Sequence, residues 1–440
     1  MSDADDLLRS LSRLSLVGPV ATTGIAIAGV CASIVLVVLA ARSPGRARAF
    51  AGVSAVTASA GVLLVVWVAL RPLPPQLTGA GALAVAVAVT GWCAAAATTA
   101  RGAARTLLAV AAAAALSVTA IAVVNRYAER YPTAGSLLGH RPPPGVRTVD
   151  FADVPGPQSR VQAGTPVSGV WRSPLRSARD GILTHAEIPG VRSGFVARPA
   201  LVYLPPAYLD TPRPLLPVVV LIAGNPGRPD DWLRIGLADT VSAFAAAHDG
   251  LAPVVVVPDA LGADDAVPLC LNSRLGNVET YLAEDVPEWV AGNLQVNPDA
   301  RARAIGGYSY GGTCAVQLAV NRPDVYPTFL DISGQDEPSL GDHTETVAAT
   351  FGGDEGAFAA VSARDELGAG ARPDVAGVFV AGSADDEYRP QQQRMYDAAV
   401  AAGLDVRYYE LPGPHSGIVW GPAFEGELDW LATRTGLLAR

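Results

Sequence analysis

Ala304-Ile305-Gly306-Gly307-Tyr308-Ser309-Tyr310-Gly311-Gly312 is the stretch on which the reading of this chain turns. A short apolar run leads into it, and the alanine-rich, helix-prone segment Thr313–Asn321 leads out. At its centre stands Gly307-x-Ser309-x-Gly311. Strand, glycine-flanked serine and helix in that order are the context of a nucleophile elbow, a sharp turn that holds a serine hydroxyl exposed. The glycines answer a steric need. The turn forces unusual dihedrals at the serine, and a neighbouring Cβ would collide with the adjoining strand and helix.

Downstream, the next strong strand candidate, Val375–Ala381, ends in Gly382-Ser383-Ala384-Asp385-Asp386-Glu387. An acid just past the carboxyl end of that strand can orient a histidine. Asp385 is the expected acid and Asp386 the second choice; at least one of the two is expected to cap the helix near Pro390 or face solvent. The following strand runs into Leu411-Pro412-Gly413-Pro414-His415-Ser416-Gly417. Of five histidines, only His415 lies beyond both the serine and the acid; His140, His185, His248 and His343 are expected to be surface or packing residues. In this arrangement His415 takes the Ser309 proton, and Asp385 fixes the ring tautomer and stabilises the imidazolium.

A tetrahedral oxyanion needs two aimed donors. One is expected from the backbone N–H of Tyr310, directly after the serine. The other is expected from the loop Ala223-Gly224-Asn225-Pro226-Gly227; Pro226 has no N–H, which leaves Asn225.

Around these loops, β-type runs alternate with helical ones. Strand candidates are Ala200–Leu204, Pro217–Ile222, Pro253–Val257, Ala302–Gly306, Thr328–Ile332, Val375–Ala381 and Val406–Glu410. Helix candidates are Arg234–Ala247, Val278–Leu294, Thr313–Asn321, Pro390–Ala402 and Gly421–Thr433. Apolar strands alternating with helices imply an α/β fold, a mostly parallel sheet covered on both faces. This domain is expected over residues 181–440. Residues 126–180, rich in Pro, Gly and Ser, read as a linker: a stalk, or a loop lying across the domain.

Residues 1–125 read differently. Four runs free of charged side chains, about Val17–Ala41, Phe50–Leu70, Leu77–Ala100 and Leu107–Asn125, are each long enough to cross a bilayer core of roughly 30 Å as a helix. An all-α transmembrane region of four helices is therefore expected; the first run is too long for a cleaved signal peptide, and three more follow. Arg42, Arg46 and Arg48 fall between the first two runs, and Arg101 and Arg105 between the last two, against Arg71 alone in the middle loop. The positive-inside rule puts the first and third loops in the cytoplasm, and the N-terminus and the α/β domain outside. Arg9, Arg13, Arg126 and Arg130 count against this placement. With no acidic, basic or histidine side chain inside the runs, they read as an anchor in the plasma membrane.

The formal net charge of −9 argues against a nucleic-acid surface. The chain has no lysine; all its basic side chains are arginines. Four cysteines, Cys31, Cys93, Cys270 and Cys314, form no Cys-x-x-Cys or Cys/His cluster, so neither a metal nor a cofactor is expected.

From Leu201 to Trp430 the motifs resemble the esterase branch of the α/β-hydrolases, which includes S-formylglutathione hydrolases, feruloyl-esterase-like enzymes and secreted mycolyltransferases. The likeness rests on Leu221-Ile222-Ala223-Gly224-Asn225-Pro226-Gly227, Val257-Pro258-Asp259 and Glu279-Thr280-Tyr281-Leu282-Ala283-Glu284-Asp285-Val286-Pro287. It continues through Gly307-Tyr308-Ser309-Tyr310-Gly311-Gly312, Gly382-Ser383-Ala384-Asp385 and Leu411-Pro412-Gly413-Pro414-His415-Ser416. Two positions depart: Ala223 stands where many members have His, and Gly417 where many have Trp, although Trp420 follows. The resemblance implies an α/β-hydrolase fold and a serine esterase acting on a small-molecule or lipid acyl ester. The alternatives are an acyltransferase that passes the acyl chain to a sugar or lipid hydroxyl, and a catalytically silent envelope scaffold. Outside the cytoplasm, Cys270 and Cys314 are disulfide candidates, two buried free thiols being the alternative.

Overall fold

The computed structural model describes residues 19–42, 79–98, 103–128, 145–160, 166–173, 180–264, 266–370 and 374–439. The chain divides into two compact units, Met1–His140 and Arg141–Arg440.

In the first unit, three helices are described: α1 (Pro19–Ala41), α2 (Gly79–Thr98) and α3 (Ala103–Ala128). They meet through small side chains, with Ala94, Ala95, Ala109, Ala112 and Ala113 packed around Leu36 and Leu116. The outward faces are apolar too: Ile27, Ile34, Leu107, Val118 and Ile121 are exposed. Two of the four expected spans are matched by helices long and apolar enough to cross a membrane, Thr23–Ala41 and Ala103–Ala122. The third run forms α2, and Phe50–Leu70 lies outside the described residues. A four-helix region is therefore not what the described residues display.

In the second unit, eleven strands are described. Nine build one sheet: β1 (Val146–Thr148), β2 (Gly181–Ala186), β3 (Ala200–Leu204), β4 (Val218–Ile222), β5 (Val254–Val257), β8 (Arg303–Tyr308), β9 (Thr328–Ile332), β10 (Ala376–Gly382) and β11 (Asp405–Leu411). Their order is β1-β2-β3-β5-β4-β8-β9-β10-β11. β3 runs antiparallel to both β2 and β5, and the other pairings are parallel. β6 (Asn272–Ser273) and β7 (Gly276–Asn277) form a separate hairpin. The central strands β4, β5, β9 and β10 are buried on both faces, whereas the outer parallel strands β1 and β11 are largely accessible. Val218, Val220 and Ile222 of β4 point into one apolar layer, and Val219 and Leu221 into the other. That explains why the central strands read as continuous apolar runs. Among the helices that cover the sheet are α4 (Leu237–Ala247), α5 (Tyr310–Asn321), α6 (His343–Phe351), α7 (Arg389–Ala401) and α8 (Gly417–Arg434).

All seven strand candidates are present, within two residues at either end. The expected helix Val278–Leu294 is divided: a π-helical turn, Tyr281–Asp285, precedes Val286–Asn293. Pro287 supplies a reason, since it has no N–H to give to the carbonyl four residues back. The segment expected as a linker contributes to the second unit. β1 pairs with β2, Trp171 is buried, and its indole N–H donates to the Pro212 carbonyl at 3.2 Å.

β9 carries an acid in the core. Asp331 is fully buried, and one of its oxygens accepts the Gly334 N–H at 3.0 Å. Burial outweighs the hydrogen bonds and pushes this carboxyl up to about 7. The folded state thus holds a proton that the unfolded chain releases near pH 4. The stabilisation is complete below about pH 4 and is lost as pH rises through about 7. Asp331→Asn is expected to be more stable than the wild type at pH 8. Its advantage should grow by on the order of 4 kcal/mol between pH 4 and pH 8, read from denaturant unfolding at each pH.

Candidate active site

β8 delivers Ser309 to the carboxyl edge of the sheet, and α5 starts at the next residue. Ser309 has φ 56° and ψ −125°, a conformation held by its N–H bond to the Ile332 carbonyl at 2.8 Å. A Cβ on Gly307 would lie 2.2 Å from the Gly311 carbonyl oxygen, and one on Gly311 would lie 2.2 Å from the Ile222 carbonyl oxygen. Both obstacles are backbone and cannot swing aside. Gly311→Ala is therefore expected to cost about 3 kcal/mol or more, read as a lowered thermal midpoint.

Past β10, Asp385 is buried while Asp386 is exposed. The Asp385 carboxylate accepts the backbone N–H of Tyr388 at 2.9 Å on Oδ1 and meets His415 Nδ1 at 2.8 Å on Oδ2. The opposite ring nitrogen, Nε2, lies 2.9 Å from Ser309 Oγ. A carboxylate only accepts, so Nδ1 carries the hydrogen and Nε2 is left to accept the serine proton. The loops that carry acid and base are laced together: Ser383 N–H bonds to the Leu411 carbonyl at 2.8 Å, and Ala384 N–H to that of Gly413 at 2.9 Å. Three other histidines have partners of their own, His185 with Asp230, His248 with the Phe244 carbonyl, and His343 with Glu337 and Glu355. His140 lies outside the described residues.

Asn225 sits in the loop after β4, and Tyr310 begins α5. The Tyr310 side chain turns away into the β5 loop, where its hydroxyl donates to the Ala260 carbonyl at 3.2 Å and lies 3.4 Å from Cys270 Sγ. Cys270 and Cys314 form a disulfide with Cα atoms 5.5 Å apart, joining the β5 loop to the helix behind the serine.

Several supporting residues carried no role in the sequence reading. Arg198 grips Asp259 through two guanidinium nitrogens and donates to the Gly227 carbonyl at 2.9 Å. It thereby links the Asn225 loop to the loop after β5. The Val-Pro-Asp run had marked Asp259 without its partner. Trp420, in the first turn of α8, stacks on Tyr308 at 4.4 Å and meets His415 at 82° and 5.2 Å. An aromatic ring thus reaches the histidine three residues beyond the position where Gly417 supplies none. Among the described residues no cluster of three or more His, Cys, Asp or Glu could hold a metal ion.

The family described as "Putative esterase" matches residues 197–431. The chain belongs to that esterase family. It is accordingly a serine hydrolase of carboxylic esters or a related acyltransferase. A curated relative, an uncharacterized protein of Corynebacterium glutamicum, is 40% identical over 331 residues, 73% of this chain and 74% of that protein. Among solved structures, a ferulic acid esterase superposes with a TM-score of 0.50 at 17% identity, over 58% of this chain and 99% of that one. This esterase-family chain therefore has the α/β-hydrolase fold. An S-formylglutathione hydrolase from Agrobacterium tumefaciens gives a TM-score of 0.48 at 20% identity, over 58% and 95% of the two chains.

Proposed function

We propose that this esterase-family chain is a membrane-anchored serine esterase that hydrolyses an acyl ester outside the cytoplasm, with Ser309, His415 and Asp385 as its triad. The observation that carries the reading is the unbroken line from Ser309 Oγ to His415 to Asp385, with contacts of 2.9 and 2.8 Å. As Oγ bonds to the ester carbonyl carbon, its proton passes to His415 Nε2. The negative charge moves to the carbonyl oxygen, where the N–H groups of Asn225 and Tyr310 would receive it. Collapse breaks the carbon–oxygen bond to the leaving alcohol, which departs with the proton from His415. Water then attacks the acyl-enzyme and gives its proton to His415, and the acid leaves as Ser309 is restored.

A sugar or lipid hydroxyl in place of that water would make the same acyl-enzyme a transferase. Product analysis with and without a sugar acceptor separates the two outcomes. A fluorophosphonate probe tests the shared chemistry: it should label Ser309 in the wild type and leave Ser309→Ala unlabelled. An unlabelled, folded wild type would sink the reading and favour the scaffold.

The anchor is proposed from the two long apolar helices and from their apolar outward faces, which suit lipid. The four runs of residues 1–125 would form it, and the catalytic unit would begin near Arg141. The arginine distribution favours an external catalytic domain, and the Cys270–Cys314 disulfide suits an oxidising compartment. Protease added to intact spheroplasts should cut the C-terminal domain. Complete protection would reverse the orientation.

A further inference from the structure

Tyr388 touches two members of the proposed triad at once. It lies three residues after Asp385, at the entry to α7. Its backbone N–H holds Asp385 Oδ1 at 2.9 Å, while its ring lies over the imidazole of His415, centroids 3.9 Å apart and planes 21° from parallel. Trp420 meets the same imidazole at 82° and 5.2 Å, so Tyr388 is the ring that covers a face. Burial pushes the Tyr388 phenol up to about 12, so the ring is a neutral π-system at ordinary pH.

We propose that Tyr388 is a positioning residue for the reaction: its ring fixes the plane of His415 and its π face stabilises the imidazolium that forms when Ser309 gives up its proton. The inference rests on the triad reading above. Its physical basis is the ring quadrupole, which attracts a cation held over its face. Before the proton moves, the imidazole is neutral and gains little from this; after it moves, the imidazolium gains more. An interaction that strengthens between ground and transition state raises kcat and leaves KM alone. Tyr388 exchanges no proton. The Asp385 carboxylate and the ring thus share the new positive charge, one from the Nδ1 edge and one from the face.

The test uses the full chain in detergent micelles with p-nitrophenyl butyrate as the probe. Tyr388→Leu is expected to lower kcat about ten-fold with KM within about two-fold, and Tyr388→Phe to restore kcat to within about two-fold of the wild type. Phenylalanines with increasing ring fluorination at 388 keep the shape of the ring and drain its face. They should lower kcat step by step, and they serve if the leucine variant does not fold. A flat series, or a loss confined to KM, would overturn the inference. His415→Ala is the control that separates it from the reading beneath. If His415→Ala is inactive while the series at 388 is flat, only the role of Tyr388 falls. If His415→Ala keeps wild-type activity, the triad falls, and this role with it.

Discussion

Ser309→Ala is expected to lower kcat/KM for a p-nitrophenyl ester by at least ~10⁴-fold while leaving the fold intact. The side chain has little packing role to lose. Its hydroxyl faces His415 Nε2, and the turn that holds it is built from backbone, through the Ile332 carbonyl and the close approach of Gly307 to Gly311. Alanine accepts the same contacts, so the thermal midpoint should stay close to that of the wild type. Active-site titration is the check, because it counts competent serines and excludes contaminating wild-type enzyme. A variant that retained more than about a hundredth of the activity would remove Ser309 from the chemistry.

The adjacent acids give the second large effect. Asp385→Asn should reduce kcat by about 10⁴, since the amide can donate to Nδ1 and so favours the wrong tautomer of His415. Asp386→Asn should change kcat by less than about two-fold, because that side chain is exposed. The contrast is a sharp one: two consecutive aspartates, one substitution chemistry and a difference of about four orders of magnitude. Equal effects at the two positions would refute the assignment of the acid.

Much of this was legible in the sequence, for physical reasons. β4, β5, β8 and β10 are buried on both faces, so their apolar runs stood out against the turns. The Gly-x-Ser-x-Gly turn leaves no room for other side chains, and that constraint is visible in one dimension. What escaped was what depends on long-range pairing. Sequence could not choose firmly between Asp385 and Asp386. The proposed choice of Asp385 rests on lacing between loops about thirty residues apart, which brings its carboxylate to His415 Nδ1. β1 was missed because it has only three residues, and β2 because it carries Thr184 and His185 inside it. α6 had a readable signal that went unused: Asp342 caps the Glu345 N–H, and Gly352 closes the helix in the left-handed region. The Arg198–Asp259 pair joins residues 61 positions apart, a distance at which no local pattern operates. Tyr388 was hidden for a related reason. An aromatic residue after an acidic loop looks like any helix entry until the histidine loop is folded over it.

The pairing of β1 with β2 bears on where the α/β unit should be cut from the rest of the chain. A fragment begun at residue 181 would discard Val146 and Trp171, both buried, and would leave β2 with an open edge of unpaired N–H and C=O groups. Such an edge recruits other chains, so that fragment should precipitate or run as aggregates on gel filtration. A fragment begun at Arg141 retains the covering strand and is the one to carry into crystallisation trials.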